Sequence, residues 1–238
     1  MRILFMGDSI TALGLWVKQF NEIIKPEHFV NIAVSSATLA DYPETVRDGN
    51  PIYENRASNT VCNQVEKVLR AKDKTHNPYA YNKDYEDFDL IIIAAATNDS
   101  CLNAPLTVGD INNQFIDENR EALALNKVDT KTFPGAMRYI YENMRRLYPN
   151  SKICFCSPIQ AVEVRRSYAS TKMKGEAIKA VCDRISDVHF IDTFKCGICG
   201  IYETNEQNGR DLIDGLHPNE NGAKKMAEYN ARKIKELY

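Results

Sequence analysis

The chain has 238 residues, 44% of them hydrophobic and 26% charged, with 30 Lys+Arg against 32 Asp+Glu and a formal net charge of −2. This composition excludes a disordered chain, a collagen-like repeat and an integral membrane protein, and it predicts one domain over 1–238 that folds without a disulfide or metal staple. With no cationic excess, neither nucleic acid nor an anionic lipid surface is an expected partner, and no segment is long and apolar enough to span a bilayer.

Short β-branched runs alternate with longer amphipathic stretches, the pattern of strands and crossover helices in a parallel sheet covered on both faces. The strands are predicted at 2–7 (RILFMG), 29–34 (FVNIAV), 89–95 (DLIIIAA), 152–157 (KICFCS) and 188–192 (VHFID). The helices are predicted at 12–24, 58–72, 132–147, 170–185 and 221–237. Because 89–95 shows no polar alternation it needs cover on both sides, which makes it the central strand. Two connections, 35–87 and 99–131, are longer than such units need, and loops after strand ends shape ligand sites in open α/β sheets. Seven Cys is an odd count that predicts reduced thiols. The apolar run after Met1 is too short for a signal and is interrupted by Asp8 and Ser9. A start at Met1 therefore predicts a cytoplasmic protein; an upstream signal, trimmed, would make it secreted.

The polar residues at the strand ends carry the chemistry. Gly7-Asp8-Ser9-Ile10-Thr11 closes the first strand, so the Ser9 hydroxyl sits beside the N–H groups of a starting helix, as suits a nucleophile. Asp214-Gly215-Leu216-His217-Pro218-Asn219 precedes the last helix; its three-residue spacing lets the carboxylate meet the imidazole Nδ1 and leaves Nε2 for a proton. Ala96-Thr97-Asn98-Asp99 follows the central strand, which puts the Asn98 carboxamide on the same rim as Ser9, where it can donate to a developing oxyanion. The second strand runs into Asn31-Ile32-Ala33-Val34-Ser35-Ser36-Ala37-Thr38.

Together these four stretches resemble the SGNH hydrolases, the GDSL lipase/esterase family, from residue 5 to about 225. The resemblance implies a three-layer α/β/α, flavodoxin-like domain with a five-stranded parallel sheet, and a Ser/His/Asp site that needs neither metal nor cofactor. It implies Ser9 as nucleophile, His217 as base and Asp214 as its orienting acid, with Asn98 and the N–H groups of Ser9 and Ser36 as the oxyanion hole. Two positions depart from the family pattern: Ser36 stands where a glycine usually gives its N–H, and Ala96 replaces the first glycine of the G-x-N-D stretch.

Other candidates have plainer readings. His189 lies within a strand and His28 and His76 in polar connections; Trp16 reads as packing. Cys196 and Cys199 have the spacing of half a zinc knuckle, but Cys154 and Cys156 alternate on a strand expected to be buried, so no metal is expected. Arg165-Arg166 follow the fourth strand, either solvated or gripping a carboxylate on the substrate. The expected activity is a serine esterase on small acyl esters, with O-acetylated carbohydrate favoured over long-chain lipid because no lid-like apolar stretch stands outside the core. An acyltransferase using the same site and a non-catalytic carbohydrate-binding domain are the alternatives; the oligomeric state is left open.

Overall fold

A computed structural model describes residues 1–41, 43–47, 50–56, 59–76, 78–99, 111–162 and 166–238, with backbone alone for 43–47 and 50–56. A five-stranded parallel sheet is built from β1 (Arg2–Gly7), β2 (His28–Asn31), β5 (Leu90–Ala94), β6 (Lys152–Cys156) and β7 (Val188–Ile191), in the order β2-β1-β5-β6-β7. The apolar run LIIIA is the central strand, as its lack of polar alternation requires. Side chains alternate between the two faces. Leu4, Met6, Ile91, Ile93, Ile153 and Phe155 enter one core, while Ile3, Phe5, Leu90, Ile92, Cys154 and Cys156 enter the other.

Helices complete the three layers. On the first face lie α3 (Val61–Lys72), α4 (Phe133–Leu147) and α5 (Tyr168–Cys182); on the second lie α1 (Ser9–Ala12), α2 (Leu15–Ile24) and α6 (Glu220–Lys235). Side-chain caps start several of them: Thr60 on α3, Thr132 with Pro134 in the first turn of α4, Ser167 on α5 and Asn219 on α6. Trp16 is fully buried, edge-on to Phe5 and Phe20 at centroid distances of 5.6 and 5.9 Å, so its reading as packing holds.

The elements depart from the sequence reading in three places. Of the helix expected over 12–24, Leu15–Ile24 forms α2 while Ala12 closes α1, because Gly14 takes a left-handed φ of 78° between them. The strand expected over 29–34 ends at Asn31, whose carboxamide turns back to accept from the Ala33 N–H and to donate to the Thr11 carbonyl. Its ladder nevertheless runs on, the N–H groups of Ile32 and Val34 donating to the carbonyls of Phe5 and Gly7. The connection 35–87 contains an antiparallel hairpin, β3 (Pro43–Arg47) and β4 (Asn50–Arg56), in a segment too charged to read as strand. Position 58, Arg165 and positions 100–110 of the second long connection lie outside the described residues. Among the described residues no helix is long and apolar enough to cross a membrane.

Candidate active site

The site begins with how β1 ends. Gly7 runs directly against β5: a Cβ there would fall 2.0 Å from the Ala94 carbonyl oxygen, and φ is 154°, so only glycine fits. The buried Gln64 amide clamps it, accepting from the Gly7 N–H at 2.9 Å and donating to the Gly7 carbonyl at 2.8 Å. Asp8 follows, buried, and caps α1 by accepting from the Ile10 N–H at 3.1 Å. Burial pushes its carboxyl up, against nearby Thr97 and the Ile10 N–H, which pull it down. Ser9 is thereby the first residue of α1, half-buried at the carboxyl edge of the sheet.

From the other end of the chain, the loop before α6 delivers the imidazole. Ser9 Oγ lies 2.9 Å from His217 Nε2, and His217 Nδ1 lies 2.8 Å from Asp214 Oδ2. With Nδ1 donating to the carboxylate, Nε2 is left to accept from the serine hydroxyl. The other Asp214 oxygen accepts the N–H groups of His217 at 2.8 Å and Leu216 at 3.1 Å. Partial burial raises the Asp214 carboxyl, but these N–H groups and the imidazole outweigh it and hold the group below its ordinary range. The loop is fixed by buried carboxylates of its own. Glu203 accepts the N–H groups of Asp211 and Leu212 at 2.9 and 3.1 Å, and Asp211 meets Arg210 Nη2, Asn221 Nδ2 and Lys225 Nζ at 2.9, 2.6 and 2.8 Å.

The remaining predicted groups come from the ends of β5 and β2. Asn98 is 4% exposed; its Nδ2 donates to the Ala37 carbonyl at 3.0 Å, and its Oδ1 accepts from Arg166 Nη2 at 2.9 Å. Among the described residues nothing accepts the second Nδ2 hydrogen. Ser36 is exposed, with φ of 61°, and the ladder that extends β2 brings its turn alongside Gly7. Among the described residues nothing accepts from the N–H groups of Ser9 or Ser36. Ala96 also takes a left-handed φ, 81°. Both positions that depart from the glycine pattern therefore keep the backbone conformation glycine favours.

Three supporting groups escaped the sequence reading. Asp99, fully buried, accepts the N–H groups of Leu39 and Ala40 at 3.0 Å each and so ties the loop after Ser36 to the end of β5. Lys174 of α5, buried, donates to the Thr97 carbonyl at 2.9 Å. Gln64 and Lys174 each lie on the buried stripe of their helix, among Val61, Val65 and Val68 in one case and Thr171, Ile178 and Val181 in the other, and a polar residue on such a stripe is the signal that could have found them.

The competing candidates fall away from the site. His189 is half-buried on the edge strand β7, where burial and then nearby Lys152 and Arg145 lower its pKa; His76 pairs with Asp73 at the surface. Cys154 and Cys156 are buried in the core, and burial pushes the Cys156 thiol up to about 12. Burial likewise pushes the Cys196 thiol up to about 11.

A sequence model of the GDSL-like lipase/acylhydrolase family matches residues 5–225. A search of curated proteins by sequence finds no match. Among solved structures, a possible lipase from Chitinophaga pinensis shares 15% identity at a TM-score of 0.63, covering 99% of this chain and 98% of that one. A carbohydrate acetylesterase from Sinorhizobium meliloti shares 16% at 0.58, covering 100% and 99%. An active-site mutant of a family two carbohydrate esterase from Clostridium thermocellum shares 16% at 0.54, covering 99% of this chain and 63% of that one. At these identities the likeness is one of fold.

Proposed function

The chain belongs to the GDSL-like lipase/acylhydrolase family, and on that premise we propose that it is a serine esterase releasing small acyl groups, with O-acetylated carbohydrate as the substrate class. The observation that carries the reading is the hydrogen-bonded chain Ser9–His217–Asp214, with contacts of 2.9 and 2.8 Å. In the proposed reaction Ser9 Oγ attacks the ester carbonyl as His217 Nε2 takes its proton, and Asp214 stabilises the imidazolium. The oxyanion is met by the N–H groups of Ser9 and Ser36 and by the second Nδ2 hydrogen of Asn98. His217 returns its proton to the departing alcohol, leaving an acyl-serine. The imidazole then activates a water, which releases the acid and restores the hydroxyl.

The choice of substrate is supported by two of the structural neighbours, a carbohydrate acetylesterase and a carbohydrate esterase. The test is Ser9→Ala. Hydrolysis of p-nitrophenyl acetate is expected to fall by at least ~1,000-fold with the fold retained, and a fluorophosphonate probe should label the parent protein but not the variant. Full turnover by Ser9→Ala overturns the mechanism. A panel of acetylated oligosaccharides against long-chain esters tests the substrate class, and preference for the long chains overturns it.

A further inference from the structure

The Asn98 carboxamide can face the reaction in two ways, and only one of them presents a donor. Its neighbours decide which. The Ala37 carbonyl, 3.0 Å from Nδ2, requires an N–H, and the Arg166 guanidinium, 2.9 Å from Oδ1, requires an acceptor. A flipped amide would set oxygen against oxygen and NH2 against guanidinium. Arg166 is itself held from behind, its carbonyl accepting from Thr171 Oγ1 at 3.1 Å in the first turn of α5.

We infer that Arg166 is a positioning residue for the oxyanion hole: it locks the Asn98 amide so that Nδ2 faces the reacting carbonyl, and by drawing electron density toward Oδ1 it makes the remaining N–H a stronger donor. The guanidinium acts through Asn98 and touches no reacting atom. A charged donor strengthens a hydrogen bond roughly twofold over a neutral one, and chained hydrogen bonds polarise one another. The benefit falls on the transition state, where charge develops on the carbonyl oxygen, and not on the ground-state ester.

The inference rests on the esterase reading above, and a double-mutant cycle on p-nitrophenyl acetate hydrolysis separates the two. Arg166→Met should lower kcat about tenfold with KM within about twofold, less than the ~100–1,000-fold expected when an oxyanion donor is removed in Asn98→Ala. In the Asn98→Ala background Arg166→Met should cost nothing further, because the group through which it acts is gone. Arg166→Lys, which keeps charge but not the fork, should fall between, and added guanidinium should restore part of the Arg166→Met loss. Thermal melting checks that the variants fold; if Arg166→Met does not, the same cycle is run with Arg166→Lys. Equal losses on both backgrounds, a rise in KM with kcat unchanged, or full activity of the Arg166 variant while Asn98→Ala is impaired overturns the inference and leaves the esterase reading standing. Full activity of both Ser9→Ala and Asn98→Ala overturns the esterase reading and this inference with it.

Discussion

The site is assembled from two regions held by different forces. Ser9 and Asn98 follow β1 and β5, adjacent strands in register with Gly7 opposite Ala94, and the residues about them, Asp8, Thr97 and Asp99, are buried. Asp214 and His217 stand on a loop without a sheet neighbour; their side chains are 46% and 24% exposed, and the loop's shape comes from the carboxylates of Glu203 and Asp211. Strand-end geometry is inherited from close packing and fails only when the sheet fails. Loop geometry rests on polar bonds, which can loosen while the fold persists.

Glycine substitutions break the comparison most sharply. In Gly7→Ala the new methyl meets backbone on the neighbouring central strand at 2.0 Å, where nothing can yield, and φ is unfavourable as well. A loss above ~3 kcal/mol is expected, with little folded protein recovered. In Gly215→Ala, beside Asp214, φ is 77° and the methyl would meet Asn205 Oδ1 and the Thr204 carbonyl oxygen at 2.8 Å, on a loop that can shift. That variant should stay folded, losing roughly 1–2 kcal/mol, while kcat falls as Asp214 and His217 lose alignment. Urea midpoints and ester turnover measure both. A folded, inactive Gly7→Ala, or an unfolded Gly215→Ala, would contradict the contrast.

Stability against pH sharpens the same division. Burial pushes Asp99 from 3.8 up to about 6, outweighing the N–H groups of Ala40 and Leu39 and the nearby Lys174. Native Asp99 therefore keeps a proton that the unfolded chain releases, and stability falls as pH rises from about 4 to about 6, by up to ~1.4 kcal/mol per unit for one group. Asp214 has the opposite sign. Its folded pKa lies below 3.8, so its contribution is complete above that value and is lost only as pH falls through the folded pKa. Between pH 4 and 6, then, Asp99→Asn should flatten the decline, leaving the share due to Asp8, which burial also raises; Asp214→Asn should leave the slope unchanged. An unaltered slope in Asp99→Asn counts against the strand-end assignment.

The sheet was legible in the sequence because the residues that form it are apolar for a reason the order alone expresses: LIIIA has no polar face to spare. The four polar stretches were legible because each couples a residue type to a strand end or to a turn before a helix. What the sequence hid are groups whose roles depend on contacts between distant segments. Arg166 reads as half of a surface cationic pair, yet its partner is 68 positions away; Gln64 reads as a helix polar residue until it meets Gly7, 57 positions away. The break at Gly14 is hidden because Ala12 and Leu13 before it and Trp16, Val17 and Phe20 after it read as one apolar pattern, so periodicity outweighs the glycine.

The smallest effects concern the two non-glycine residues in left-handed backbone, and here the two positions should differ in size. An L-residue in that region costs roughly 1–2 kcal/mol, while glycine adds about 0.5–1 kcal/mol of unfolded-state entropy to overcome. Ser36 is exposed, so Ser36→Gly relieves strain and removes no buried surface; a gain of about 0.5–1 kcal/mol is expected, read as a higher urea midpoint. Ala96, with φ of 81°, is fully buried. Ala96→Gly removes a packed methyl worth about 0.8 kcal/mol, which offsets the relief and leaves stability near that of the parent. Ester turnover should survive Ser36→Gly, because the proposed donor at that position is a backbone N–H that the substitution keeps. A collapse of kcat there would mean that the Ser36 hydroxyl itself takes part, and the oxyanion hole would need a side-chain donor in place of the backbone one.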